Sequence, residues 1–165
     1  VADTNVKDFP SSDRLVNVSK SCVRVARLFG FDPKVAFLSH STFGKPISKN
    51  TKHVRDAIEK LKKEKVDFDF DGEMQPDVAL NPIYQDIYPF SKIVGKANIL
   101  IMPALHSAAI STKLMKVFGG GKLIGPLLIG LGLPIEVAPL RASTSEILNL
   151  ASIASFSSGV IDYSN

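Results

Sequence analysis

The stretch Asn98-Ile99-Leu100-Ile101-Met102 decides the fold class of this 165-residue chain. Its last four residues are all apolar, without the alternation of a strand that has one face in water. Residues 35–38, Val-Ala-Phe-Leu, form a second short run of the same kind. Both runs predict strands covered on both faces, as in a parallel sheet that lies between two layers of helices.

On both sides of these runs, segments in which apolar residues have helical spacing alternate with segments that have strand patterns. The spacing predicts a helix between caps at residues 11–13 and Gly30, and further helices over residues 52–63 and 107–118 and after Ser143 or Thr144. Further strands are predicted at residues 1–4, 66–71, 123–124 and 135–138. The order of elements predicts an α/β fold, a three-layer α/β/α domain with a mostly parallel sheet.

The composition is that of an ordinary globular protein, and it excludes several classes. Cys22 is the only cysteine, so the chain has no disulfide framework and a cytoplasmic location is expected. Residues 1–8 lack a signal-peptide pattern, and the apolar run 123–134 is too short to cross a membrane. The net charge of +4 comes mainly from lysines on helix faces, so neither nucleic acid nor membrane is an expected partner.

Two motifs imitate ligand-binding loops and are disfavoured. Residues 67–72, Asp-Phe-Asp-Phe-Asp-Gly, resemble the start of a calcium loop, but Val78 stands where a glutamate ligand is needed. Residues 119–122, Gly-Gly-Gly-Lys, resemble a phosphate loop, but Leu123 follows the lysine and the glycines are better placed to end a helix. The three histidines share no metal-binding spacing, so no metal site is expected.

Polar residues follow both apolar strands at the point where each strand ends. Parallel α/β sheets bind ligands outside the carboxyl ends of their strands, so these residues are candidate ligand contacts. Capping of helices by Ser and Thr is the alternative. The candidates are Ser39, Ser41, Thr42 and Gly44 after the first strand, and His106 and Ser107 after the second. Glu73 and Asp77 could form a carboxylate pair, although complementing a helix N-terminus is the favoured interpretation.

Four motifs in order carry a family resemblance that extends over residues 2–156. They are Asp71-Gly-Glu-Met-Gln-Pro-Asp-Val-Ala79, Gly95-Lys-Ala-Asn-Ile-Leu-Ile-Met-Pro103, Gly125-Pro-Leu-Leu-Ile-Gly130 and Glu146-Ile-Leu-Asn149. Through these motifs the chain resembles the phosphate acetyl/butyryltransferase family. Residues 106–113 and Pro139-Leu140 look like the version found in the C-terminal domain of the large bacterial NADP-dependent malic enzymes.

The resemblance implies a two-subdomain phosphotransacetylase-like fold, of which residues 1–165 would be the C-terminal part. Residues 5–138 would belong to one subdomain, and residues 139–165 would form a helix that returns to the other. The remainder of the domain and the malic-enzyme part, with its NADP and divalent-metal sites, would lie upstream. No cofactor is therefore expected in this chain itself.

The resemblance also implies a degenerate active site. Active members carry Ser-Arg-Gly where Pro139, Leu140 and Arg141 stand, and acyl transfer between coenzyme A and phosphate needs that hydroxyl and guanidinium. Their Ser-Thr-Lys-Gly loop is here Ser41-Thr42-Phe43-Gly44, which removes another cation. No catalytic residue is therefore assigned. Ligand contacts are expected from the polar candidates above, from Arg141 and from Lys113, which active members keep and which would meet a coenzyme A phosphate.

Three functions follow from this pattern. The favoured one is a non-catalytic regulatory and oligomerisation domain of an NADP-dependent malic enzyme that senses acetyl-CoA as a homo-oligomer. The alternative is an active transferase, in which Arg141 replaces the lost arginine and Ser143 or Ser145 the lost serine. The third is a structural module that binds nothing.

Overall fold

The computed structural model describes residues 1–2, 8–120, 123–131 and 133–160. Within them the elements are α1 (Ser12–Leu28), β1 (Lys34–Leu38), α2 (Lys52–Glu64), β2 (Asp69–Met74), α3 (Pro76–Leu80), β3 (Ile99–Ile101), α4 (Leu105–Phe118) and α5 (Thr144–Val160). Short 3-10 helices at Lys49–Thr51 and Pro82–Gln85 precede α2 and follow α3. In the described residues no helix combines the length and the apolar character that crossing a membrane requires.

The chain forms two compact units, Val1–Thr112 and Lys113–Asn165. The first contains the sheet and the beginning of α4, and the second contains the end of α4 together with α5. The predicted subdomain boundary at residue 138 refers to a longer domain and stays a prediction.

The sheet has the strand order β2-β1-β3, and both pairs are parallel. Val35 is in register with Phe70 on one side and with Ile99 on the other. Ala2 adds a parallel bridge to Ile101, and its N–H donates to the Leu100 carbonyl oxygen at 2.9 Å. The prediction of a mostly parallel sheet is therefore confirmed.

Both faces of the sheet are covered, because successive side chains of a strand point to opposite faces. Val35 and Phe37 of β1 belong to a cluster with residues of α1 and α2, such as Leu15 and Leu61, all four of them fully buried. On the other face, Ala36 and Leu38 belong to a cluster with Ala79 of α3 and Ala108 of α4. The three-layer α/β/α prediction is confirmed.

The helix ends follow the predicted signals. The Ser11 hydroxyl caps α1 and accepts from the Arg14 N–H at 3.3 Å, and the helix ends just before Gly30, whose φ of 79° continues no helix. The described residues place the end of α4 at Phe118, immediately before the glycine run. The predicted helices are thus confirmed, with shifts of one or two residues.

Two strand predictions are wrong. Residues 123–124 and 135–138 form no strand, and Leu123, Ile135 and Val137 are each more than 40% exposed. Apolar, β-branched composition favours a strand only where a neighbouring strand accepts its backbone hydrogen bonds. In addition, β2 covers Asp69–Met74 rather than residues 66–71. Asp67 lies before the strand and accepts hydrogen bonds from Arg27 at its carboxylate (3.0 Å) and its carbonyl oxygen (2.9 Å).

Candidate functional site

Three of the predicted ligand contacts lie at the carboxyl edge of the sheet but point inward. Ser39, Ser41 and Thr42 follow β1, and all three are buried, Ser41 completely. Buried hydroxyls need hydrogen-bond partners, because leaving one unpaired costs about 1–3 kcal/mol. The Ser39 and Ser41 hydroxyls lie 3.1 Å apart, Ser41 also donates to Glu73 of β2, and the Thr42 hydroxyl accepts from the N–H of Gln75, just after β2.

Glu73 is the centre of this buried polar network. It is 1% exposed, and its Oε1 accepts from the Ser41 hydroxyl at 2.6 Å. The Arg55 guanidinium donates from Nη1 to both Glu73 carboxylate oxygens, at 3.1 and 3.2 Å. The same Nη1 reaches the Thr51 hydroxyl at 2.6 Å, and Nη2 reaches the Ser48 carbonyl oxygen at 2.8 Å. A buried carboxylate therefore has its charge balanced by an arginine from α2.

Backbone hydrogen bonds attach the loop after β1 to the end of β2. The Phe43 N–H donates to the Glu73 carbonyl oxygen at 2.6 Å, and the Gln75 N–H donates to the Thr42 hydroxyl at 3.2 Å. The Gln75 side chain donates from Nε2 to the His40 carbonyl oxygen at 2.7 Å. The loop is thus held at both its backbone and its side chains.

Gly72 makes this arrangement possible. Its φ is 144°, and a Cβ at this position would lie 2.7 Å from the Phe37 carbonyl oxygen. The β1–β2 register shifts between Phe37 and Leu38, next to this glycine. Any larger residue would push β2 away from β1 and displace Glu73.

The other predicted contacts of the first unit lie nearer the surface. His40 and His106 are exposed, and Gly44 is partly exposed. The Ser107 hydroxyl donates to the Ala104 carbonyl oxygen at 2.8 Å, so it serves the first turn of α4. Glu73 and Asp77 do not form a carboxylate pair, since Asp77 is exposed on α3 and its hydrogen bond with Tyr84 raises the pKa of that hydroxyl.

An aromatic cluster lies beside the loop. The ring centroids of Phe43 and Phe90 are 4.8 Å apart, those of Phe43 and Tyr88 5.4 Å, and those of Tyr88 and Phe90 6.1 Å. The rings are tilted or edge-on to one another, an arrangement that aromatic side chains favour. Phe90 is 63% exposed, so the cluster reaches the surface.

In the second unit the segment Pro139-Leu140-Arg141 is exposed. Pro139 and Arg141 are solvent-exposed, and Leu140 is fully exposed. A cavity of about 10 Å³ is lined by Pro139, Glu146 and Leu150, among other residues of this unit. Because this is about the volume of one water, these residues enclose no thioester by themselves.

Ser143, the predicted replacement for the lost serine, caps α5. Its hydroxyl donates to Glu146 Oε2 at 2.9 Å and accepts from the Glu146 N–H at 3.3 Å, while its own N–H donates to Oε2 at 2.8 Å. These hydrogen bonds form a capping box and lower the pKa of the Glu146 carboxyl. Lys116 adds an ion pair to Glu146 at 3.6 Å, whereas Lys113 is exposed on α4.

The motifs that resemble a calcium loop and a phosphate loop are residues 67–72 and 119–122. The Asp71 carboxylate accepts from the Gly72 N–H at 2.9 Å and from the Lys92 N–H at 2.8 Å. Across the described ranges, no group of three His, Cys, Asp or Glu side chains is placed to hold a metal ion. In the motif that resembles a phosphate loop, Gly121 and Lys122 lie outside the described residues.

The comparisons with known proteins agree with this arrangement. The model of a family described as "Phosphate acetyl/butaryl transferase" matches residues 1–155. The chain belongs to this transferase family. A phosphotransacetylase from Streptococcus pyogenes has the same fold, with a TM-score of 0.88 and 33% identity over 94% of this chain.

Two curated relatives represent two kinds of protein that this chain resembles, malic enzymes and phosphate acetyltransferases. The NADP-dependent malic enzyme of Rhizobium meliloti is 45% identical over 96% of this chain, and the phosphate acetyltransferase of Clostridium acetobutylicum is 35% identical over 92%. The predicted resemblance to the transferase-like domain of malic enzymes is confirmed. The chain spans about a fifth of the malic enzyme's length and under half of the phosphate acetyltransferase's.

Sequence reasoning missed two features of the site. Arg55 was only one charge on an amphipathic helix, and nothing in its spacing indicates that it reaches Glu73. Tyr88 and Phe90 lie in an irregular segment, far along the chain from Phe43. The one signal for this site in the sequence was the family motif at residues 71–79, which contains Gly72 and Glu73, the residue that Arg55 contacts.

Proposed function

We propose that this chain is the transferase-like regulatory and assembly domain of an NADP-dependent malic enzyme, and that it binds acetyl-CoA without transferring the acetyl group. The observation that carries the proposal is the exposed Pro139-Leu140-Arg141 segment. In active family members a serine hydroxyl and an arginine guanidinium stand at the first two of these positions. A pyrrolidine ring and an isobutyl group cannot donate a hydrogen bond to a thiolate or a phosphate.

Two of the candidate hydroxyls are engaged elsewhere, whereas Ser145, the other predicted replacement for the lost serine, is exposed on α5. Ser41 donates to the buried Glu73 carboxylate, and Ser143 caps α5. Releasing either hydroxyl would leave a carboxylate or a helix terminus without its partner, at a cost of about 1 kcal/mol or more. Arg141 is one residue beyond the position of the family's arginine.

Binding without transfer is chemically reasonable for such a site. A nucleotide thioester is held by cations, backbone amides and apolar walls, none of which requires a nucleophile. Lys113 is our candidate for a coenzyme A phosphate, and His106, Ser107 and Gly44 are candidate contacts at the sheet edge. Bound acetyl-CoA regulates the enzyme only if two states of the assembly differ in their affinity for it.

Exposed apolar side chains support the assembly part of the proposal. On α4, Ile110, Leu114 and Val117 follow helical spacing and are each at least half exposed. Along α5, Leu150 is the one buried side chain of those described. A helix that is apolar on most sides is normally covered, so we propose that these helices pack against other parts of a homo-oligomeric enzyme.

The remaining parts of the function belong to the longer parent protein. We propose that NADP and a divalent metal ion bind to its malic-enzyme part, outside this chain, where malate is oxidatively decarboxylated to pyruvate. The single cysteine and the kinship with metabolic enzymes support a cytoplasmic location.

The test is the response of malate oxidation to acetyl-CoA in the full-length protein. The wild-type enzyme should lose activity as acetyl-CoA is added, and Lys113→Met should raise the concentration for half-maximal effect about tenfold, the cost of one charge-assisted hydrogen bond. Lys63→Met, which removes another exposed helix lysine, should leave the response unchanged. An enzyme that neither binds acetyl-CoA nor responds to it would contradict the proposal.

Transfer activity is the second candidate function. The 35% identity to a phosphate acetyltransferase supports it. It predicts formation of acetyl-CoA from acetyl phosphate and coenzyme A that depends on Arg141.

A further inference from the structure

We propose that Phe43, Tyr88 and Phe90 form an aromatic platform that binds the adenine base of the acyl-CoA nucleotide. The inference rests on the proposed function, because it names the part of acetyl-CoA that this edge of the sheet recognises. It assigns a role to three residues that the sequence analysis did not name as ligand contacts.

The exposure of the cluster points to a ligand. A ring cluster that only sealed the loop onto the sheet would bury its members, but Phe90 is 63% exposed, and Phe43 and Tyr88 are partly exposed. The rings meet edge-on or tilted, with interplanar angles of 68°, 55° and 81°. Phe43 also packs against the buried cluster of Ala36 and Leu38, so Phe90 is the ring that offers exposed surface on which a base can stack.

The backbone of Phe43 is the second observation. Its φ is 48°, a left-handed conformation that is uncommon for a bulky side chain and costs energy. The Thr42–Lys45 bridge on either side and the Phe43 N–H bond to the Glu73 carbonyl oxygen hold it there. The buried network therefore fixes the direction of a ring that stays partly at the surface.

The position and the nearby charges fit a nucleotide. The platform follows β1, at the carboxyl edge where parallel sheets bind ligands. Lys45 lies two residues after Phe43 and is exposed, so it is a candidate contact for the phosphates of a nucleotide whose base stacks on the rings. Lys92 is exposed as well, but its Nζ lies 5.8 Å from the centroid of the Phe70 ring.

The experiment compares two phenylalanines with the same exposure at opposite ends of the strands. Phe90 is 63% exposed at the carboxyl edge, and Phe31, just before β1, is 61% exposed at the amino edge. In the full-length protein, Phe90→Ala should raise the Kd for acetyl-CoA about tenfold, the usual effect of losing one base stack. Phe31→Ala should leave it unchanged, and Phe90→Trp should restore tight binding.

Acetyl-pantetheine, which has the thioester but lacks the nucleotide, identifies the part that is recognised. Its Kd should be the same for the wild type and Phe90→Ala. An equal loss of acetyl-CoA and acetyl-pantetheine binding would overturn the proposal, because the rings would then contact the pantetheine or merely shape the loop. An unchanged Kd for acetyl-CoA in Phe90→Ala would overturn it as well.

Failure of the platform and failure of the proposed function give different results. If the wild type and Phe90→Ala bind acetyl-CoA equally well, the proposed function stands and the platform is rejected. A wild-type enzyme that does not bind acetyl-CoA loses the proposed function. The platform is then judged with adenosine 3′,5′-bisphosphate, whose binding should weaken in Phe90→Ala and not in Phe31→Ala.

Discussion

The loop after β1 in the first unit and residues 139–143 in the second differ in how far their side chains are buried. Ser41 and Glu73 are buried and hydrogen-bonded, and removing either breaks a network that joins β1, β2 and α2. Leu140 and Arg141 are exposed. Substitutions at the exposed segment should therefore cost little stability, whereas substitutions in the buried polar network should cost much.

The largest expected effect is that of Arg55→Ala. It leaves the Glu73 carboxylate buried without its cation, so the free energy of unfolding should fall by about 3 kcal/mol. Lys52→Ala is the matched control, because it breaks an exposed ion pair to Asp56 on the same helix and should cost only about 0.5 kcal/mol. Urea titration of both variants measures the difference, and equal costs would show that the network does not stabilise the first unit.

Gly72→Ala should be the next most harmful change. Its Cβ would meet the Phe37 carbonyl oxygen at 2.7 Å, and the positive φ adds strain, for a total of about 2 kcal/mol. Gly44→Ala has a φ of 81° but nothing within 4 Å of the added Cβ, so it should cost only the backbone strain, about 1 kcal/mol. Thermal unfolding of the two variants separates close approach from conformation.

In the second unit, Ser143→Ala should lower stability by about 1 kcal/mol through loss of the α5 cap. The cap is also sensitive to pH, since the Ser143 hydrogen bonds lower the pKa of Glu146 in the folded state. That contribution is complete above the ordinary carboxyl value of 4.5 and is lost as the pH falls through the lowered value. The protection factors of the α5 amides, which are corrected for the pH dependence of intrinsic exchange, should therefore fall in acid in the wild type and change less in Ser143→Ala.

Leu140→Arg should have the smallest effect. The side chain is fully exposed, so the free energy of unfolding should change by less than about 0.5 kcal/mol. A cost comparable to that of Gly72→Ala would show that residue 140 is buried in the assembled enzyme. Urea titration at two protein concentrations distinguishes burial in an oligomer from burial within one chain.

The sequence was sufficient for the sheet because two of its three strands, β1 and β3, are apolar on both faces. Runs such as residues 35–38 and 99–101 fit a parallel sheet between helices, and the caps at Ser11 and Gly30 indicate the helix ends. It failed at residues 123–124 and 135–138, where an equally apolar composition forms no strand. Apolar composition shows that a segment is to be covered, but it does not tell which partner covers it.

The site was less predictable than the fold. The edge of the sheet was found from the polar residues that follow the strands, but whether Ser41 faces a ligand or the interior depends on Glu73 and Arg55. These residues lie 32 and 14 positions further along the chain. The role of Gly72 as a point of close approach to Phe37 likewise depends on strand pairing, which only the structure shows.

An assay of acyl transfer by the full-length protein is the most direct test of whether this domain binds acetyl-CoA without transferring the acetyl group. Acetyl phosphate and coenzyme A should yield no acetyl-CoA above the uncatalysed rate, in a preparation whose malate oxidation still responds to acetyl-CoA. That result would identify a transferase fold that is used for binding. Turnover that is abolished by Arg141→Ala would contradict the account and show that the exposed segment still performs transfer chemistry.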